Sequence, residues 1–240
     1  MPRPYIDFIS AYCDRWCERC AFTARCSNFA VSSALAMCDG NFEAAIELAI
    51  GPPRVPGGQP QQPLHERMAE ALEGFEPTEK ELEEVGREMD ARRARIEKLA
   101  VAEASHDYAI AAHRWLRQYR DTCGASDGVQ EALEVVAWDQ VLIHVKIMRA
   151  LDGRDECPDG GRDEDPMQSD WNGSAKVAGI SIARSERAWR VIAAATGNEA
   201  AGVLAASLAT LGEQMSSEFP RAMEFCRPGF DEVEQDREGR

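Results

Sequence analysis

Apolar residues recur at three- and four-residue intervals along most of the chain, and no stretch keeps the two-residue alternation of a half-buried strand, so the pattern predicts an all-α protein. Pro2 and Pro4 precede Tyr5, Phe8, Ile9 and Tyr12, which places the start of a first helix near Tyr5 and carries it into residues 12–26. Two short helices follow at 28–37 and 42–50. They are joined by Cys38-Asp39-Gly40-Asn41, whose Gly and Asn suit a tight turn.

The stretch 51–63, GPPRVPGGQPQQP, is too rich in Pro and Gly to pack and reads as an extended linker. A short helix is expected at 64–72. Thr78 and Glu81 then form a capping box that opens a helical pattern running to about Tyr119. Forty residues of unbroken helix would be about 60 Å long, so a bend is expected near Gly86 or beyond Ala100. Further helices are expected at 127–151, 172–195 and 198–218, with Gly197 closing one and Asn198 capping the next. The acidic, glycine-bearing stretch 152–170 reads as an exposed loop, and the chain after Phe219 as a frayed tail. The layout is a helical bundle at 64–225 carrying a small N-terminal helical cysteine-cluster module at 1–50, with an acidic tail at 226–240.

Charge narrows the classes of partner. A net charge of −15 and a pI near 4.8 argue against nucleic acid and against an anionic membrane surface, both of which select for Lys and Arg. No window is apolar enough to span a membrane, and the first residues lack the apolar core of a signal peptide, so a cytoplasmic address is the expectation. In that reducing compartment eight cysteines are not expected to pair as structural disulfides.

Four of them are crowded. Residues 12–26, YCDRWCERCAFTARC, hold Cys13, Cys17, Cys20 and Cys26 in the spacing C-x3-C-x2-C-x5-C. On a helix the first three would stand at i, i+4 and i+7 on one stripe, with Cys26 in reach as a fourth. Four thiolates suit tetrahedral zinc or a [4Fe–4S] cluster, and Arg15, Arg19 and Arg25 would offset their charge. The competing reading is a buried helical face beside Ile9 and Trp16, since cysteine packs well in cores.

The first three cysteines resemble the cluster signature of radical-SAM enzymes, and the last three resemble the auxiliary-cluster motif of SPASM domains. The radical-SAM resemblance implies a partial (β/α) barrel and an aromatic residue before the third cysteine. This chain has no strand pattern and carries Arg19 there, so the resemblance implies iron–sulfur ligation and no enzyme around it. The block ALAMCDGNFEAAIELAIG resembles the second half of a ubiquitin-associated domain and implies a protein-binding helix pair, with Phe42 and Leu48 as contact residues; the first helix of such a domain would have to be the cysteine segment itself.

The bundle supplies a second set of candidates. Ile96, Leu99, Ala100, Glu103 and Ile110 share a stripe, with His106 and Asp107 following Glu103 at i+3 and i+4. Glu103-x-x-His106 is the pairing that ferritin-like carboxylate proteins use for two-metal centres, although a second such pair is missing. On the next helix Gln140 and His144 fall on the line of Leu133, Ala137, Ile147 and Leu151. Arg184 falls on the line of Val177, Ile180, Ala188 and Val191. These groups are expected to meet either as a buried network, Glu103 or Asp107 against Arg184 with His144 and Gln140, or as a metal or small-molecule site between helices.

The leading functional expectation is a metal-binding helical protein with a structural, sensing or electron-transfer role. The alternatives are a ferritin-like or small-molecule site in the bundle and a helical protein-interaction module. No substrate or reaction follows from the sequence, and homo-oligomers stay open.

Overall fold

The computed structural model describes residues 5–51, 77–120, 126–158 and 166–231. Among them every regular element is helical, and the chain is all-α. The linker beyond Gly51, the short helix expected at 64–72, His65, Cys123, part of the acidic loop and the end of the tail lie outside the described residues. Two compact units are present: residues Met1–Ser10 with Arg15–Glu88, and Ala11–Asp14 with Met89–Arg240.

In the first unit, α1 (Ser27–Met37) and α2 (Phe42–Ile50) form the expected hairpin. Asp39 and Gly40 turn the chain with φ of 49° and 83°, and the Asn41 side chain caps α2 by accepting from the Ala44 amide at 3.1 Å. The expected first helix does not form. Residues 7–13 are turns and bends, and only two short 3-10 turns follow, Cys17–Arg19 and Thr23–Arg25. Phe8 and Arg15 adopt φ of 58° and 57°, the left-handed region in which a right-handed helix cannot continue. The apolar spacing of Tyr5, Phe8 and Ile9 is therefore used by turns. Ile6 donates to the Arg25 carbonyl at 2.9 Å and Tyr5 to the Ala49 carbonyl at 2.6 Å, which closes the segment back on its own unit.

Helix α3 (Glu79–Ile96) opens with the expected capping box. Thr78 donates its amide to the Glu81 carboxylate at 2.8 Å, and the Glu81 amide bonds the Thr78 hydroxyl at 3.3 Å. The break in the long pattern falls at residues 97–99, with Gly86 inside intact helix. Leu99 takes an extended conformation and stands as N-cap of α4 (Ala100–Tyr119), so the pattern becomes two helices joined by a tight corner.

The second unit is a four-helix bundle of α4, α5 (Asp127–Glu156), α6 (Asp170–Thr196) and α7 (Glu199–Glu218). Helix α5 packs on α4 and α6, α6 on α7, and α7 on α4, which closes the ring. Two residues, Gly197 in the left-handed region and the N-cap Asn198, join α6 to α7. Leu133, Val136, Ile143, Ile147, Trp189, Ile192, Leu208 and Leu211 fill the interior. Polar ring atoms in it are satisfied: the Trp189 indole donates to the Tyr108 hydroxyl at 3.0 Å, and the Trp115 indole to Asn198 at 3.1 Å. Helix α5 runs five residues past Leu151 into the stretch expected as loop. Ion pairs extend it: Asp152 with Arg92, Asp155 with Arg95, and Arg154 with Glu218. No described helix is long and apolar enough to cross a membrane.

Candidate functional site in the helical bundle

Arg184 is not the partner of Glu103 or Asp107. Its guanidinium donates from Nε and Nη2 to Asp139 at 2.9 and 2.5 Å, and from Nη1 to Asp14 at 2.6 Å. Asp139 has no exposed side-chain surface and also accepts from the Ser185 hydroxyl at 2.9 Å. Burial pushes the Asp139 carboxyl above the usual carboxylate range, and the bonds from Arg184 and Ser185 oppose that rise. The expected network is thus replaced by another: Leu133, Ile147 and Leu151 on α5 and Val177 and Ala188 on α6 are buried as expected, but the polar group buried among them on α5 is Asp139, not Gln140 or His144. On α5 the buried line is Val136, Asp139, Ile143, Ile147 and Ala150, while Gln140 is only half-buried; on α6 Ser181, Ser185 and Ile192 face inward and Val191 faces solvent. Asp139 at the centre of an apolar line was the legible sign of a buried charge.

Asp14 belongs to a four-residue strap, Ala11–Asp14, that packs into the bundle. Each anchor is specific. Lys146 donates to the Ala11 carbonyl at 3.0 Å, Trp138 to the Asp14 carbonyl at 2.9 Å, and the Tyr12 ring lies 4.6 Å from that of Phe225. Burial first, and then the adjacent Asp170 carboxylate, pushes the Tyr12 hydroxyl up to about 12.

Glu103, His106 and Asp107, all exposed on α4, and half-buried His144 on α5 stand along a common surface. They line one groove of about 1150 Å³ between the second half of α3, the first half of α4 and the second half of α5. Ile96 and Ala102 form its buried floor, Met89, Val145 and Met148 add apolar wall, and Asp90, Arg92, Arg93, Glu97, Arg149 and Asp152 complete the rim. The His106 and His144 rings meet edge to face at 5.6 Å.

The protonation of His144 follows from its neighbour. The Ser105 hydroxyl is 2.8 Å from the Ala102 carbonyl, which can only accept, so the single hydroxyl proton is committed there. In the 2.9 Å contact with His144, Ser105 Oγ must then accept, and Nδ1 of the imidazole carries the hydrogen. Burial, and then the nearby His106, pull the His144 pKa below its ordinary value, so the ring is held neutral with Nε2 as an acceptor. Gln140 is occupied differently: its amide donates to the Ala137 carbonyl at 3.2 Å, and it does not line the groove.

The cysteines are distributed over both units. Cys13 lies in the strap, Cys17 within a 3-10 turn, Cys20 at the end of that turn and Cys26 as N-cap of α1; all four are half-buried. The single helical stripe expected for Cys13, Cys17 and Cys20 is absent, because Arg15 breaks the helix between the first two. Among the described residues no three His, Cys, Asp or Glu side chains are grouped to hold a metal ion, which applies equally to Glu103, His106, Asp107 and His144. The cysteine segment likewise does not supply the first helix that the ubiquitin-associated resemblance requires; Phe42 and Leu48 of the hairpin are more than half exposed.

No family model matches the chain, and neither a curated protein nor a solved structure is found to be similar to it.

Proposed function

We propose that the four-helix unit is a ligand-binding protein that takes a small organic molecule in the groove between α3, α4 and α5. The observation that carries this reading is one apolar-floored groove bordered by Glu103, His106, Asp107 and His144. Such surfaces between bundle helices are ordinary places for ligands. His144 is pre-set by Ser105 to accept one hydrogen bond, which would orient what binds. Screening aromatic fragments by melting temperature, with the histidine ring signals followed by NMR, tests it. Stabilising fragments are expected to move the His106 and His144 signals and to lose their effect in Val145→Arg, which fills the groove from an exposed position. Fragments that act equally on the variant would overturn the reading.

A second reading concerns the thiols. Cys20 Sγ accepts from the Phe22 amide and Cys26 Sγ from the Phe29 amide, each at 3.4 Å, the kind of backbone contact that supports a sulfur ligand. On that ground Cys13, Cys17, Cys20 and Cys26 are proposed to hold zinc or a [4Fe–4S] cluster in a structural, sensing or electron-transfer role. Anaerobic purification with metal analysis and absorption spectroscopy checks it. Colourless, metal-free protein whose melting ignores Cys17→Ala would end this reading.

A further inference from the structure

Resting on the groove reading above, we infer that the ligand is an organic cation with an apolar body, of the arylalkylamine class. The lining carries five carboxylates, Asp90, Glu97, Glu103, Asp107 and Asp152, against three guanidinia. Every guanidinium already has a carboxylate partner. Arg92 pairs with Asp152 at 3.2 Å and Glu156 at 3.6 Å, Arg93 with Glu97 at 2.8 Å, and Arg149 donates twice to Asp170, at 3.1 and 2.7 Å. An anionic ligand would have to share each guanidinium with a carboxylate that already stands beside it.

The acceptors are in the opposite condition. Glu103 makes no hydrogen bond or ion pair among the described residues, Asp90 has only the longer-range attraction of Arg93, and Asp107 has only the 3.7 Å approach to His106. His144 adds Nε2 as a neutral acceptor whose tautomer is fixed from behind by Ser105. The groove therefore offers carboxylates without a hydrogen-bonded partner, while each guanidinium already has a carboxylate beside it. A ligand that supplies an ammonium gains charge-assisted hydrogen bonds to carboxylates without displacing an existing partner. Ile96, Ala102, Met89, Val145 and Met148 give its carbon skeleton an apolar surface to cover. The whole-chain charge of −15 favours approach of the same class.

Three nearly isosteric probes separate this inference from the reading it rests on: tryptamine, tryptophol and indole-3-acetate, each titrated into the full chain by calorimetry and by NMR of the histidine rings. Tryptamine is expected to bind with shifts at His106 and His144, and tryptophol about tenfold more weakly, since its hydroxyl lacks the positive charge that strengthens a hydrogen bond to a carboxylate. Indole-3-acetate is expected to bind weakest. Glu103→Gln, at an exposed position that the fold does not need, should lower tryptamine affinity several-fold and leave tryptophol unchanged. If tryptophol or indole-3-acetate binds as well as tryptamine with the same histidine shifts, the cation inference falls and the groove reading stands. If no probe shifts His106 or His144, or tryptamine binds without moving them, both fall.

Discussion

Gly173 lies where α6 passes the strap, and a Cβ built on it would stand 2.4 Å from two carbons of the Tyr12 ring and 2.8 Å from the Phe225 ring. Gly173→Ala puts two opposed effects in competition. An alanine in a helix interior gains about 1 kcal/mol over glycine. Against that, the Tyr12 ring must retreat by about 1 Å to reach ordinary contact, and overpacking of this kind costs about 1–3 kcal/mol. Retreat also loosens Tyr12 from the Asp170 carboxylate, at about 1 kcal/mol for a hydrogen bond. The net is a loss of about 1–3 kcal/mol, or a fall in Tm of about 3–10 °C for a unit of this size. Gly202→Ala is the matched control: it lies in α7, exposed, with nothing within 4 Å of its Cβ, so it should raise Tm by about 2–4 °C. Thermal unfolding of the two variants reads opposite signs if the strap is seated as described. In a Tyr12→Ala background Gly173→Ala should become neutral or stabilising, because the ring it strikes is gone. Gly173→Ala melting at or above the parent protein would refute the reasoning.

Other outcomes follow from the ion pairs. Asp139→Ala strips Arg184 of its bidentate partner in a buried setting and is expected to cost about 3 kcal/mol in urea unfolding, with much of it recovered in Asp139→Ala/Arg184→Met; a loss below about 0.5 kcal/mol would show that Asp14 alone satisfies the guanidinium. His144 has a folded pKa below its unfolded value, so its neutral form is the one the fold favours. Stability is then fully present above about pH 6.5 and is lost as pH falls through the lower folded pKa. A His144→Gln variant should lack that part of the acid loss in pH-dependent melting. Asp231 is raised by burial, but hydrogen bonds from Arg227 and Lys176 outweigh this and hold it at about 2. Its contribution is present above about pH 3.8 and declines toward pH 2; solvent screening limits it to about 1 kcal/mol. Asp231→Asn should flatten the acid limb of chemical unfolding across that window.

Sequence alone determined the elements that local chemistry encodes. The Thr78–Glu81 capping box, the Asn198 cap, the Gly197 stop and the all-helical class are each set by side chains within a few residues of the backbone they govern, whereas Asn41, read as a turn residue, caps α2 instead. Glu103 was expected to interrupt a buried apolar stripe, but Leu99, Ala100, Glu103 and Ile110 of that stripe are exposed; Glu103, His106 and Asp107 border a groove with His144 all the same. Tertiary structure decided what depends on distant partners. The packing of α5 on α6 buries Asp139 and pairs it with Arg184, while Glu103 on α4 stays exposed. Left-handed backbone at Arg15 unmade the cysteine stripe, and the strap exists only because Lys146, Trp138 and Arg184, more than a hundred residues later in the chain, receive it. Periodicity reports which residues are apolar; it does not report which helix they will face.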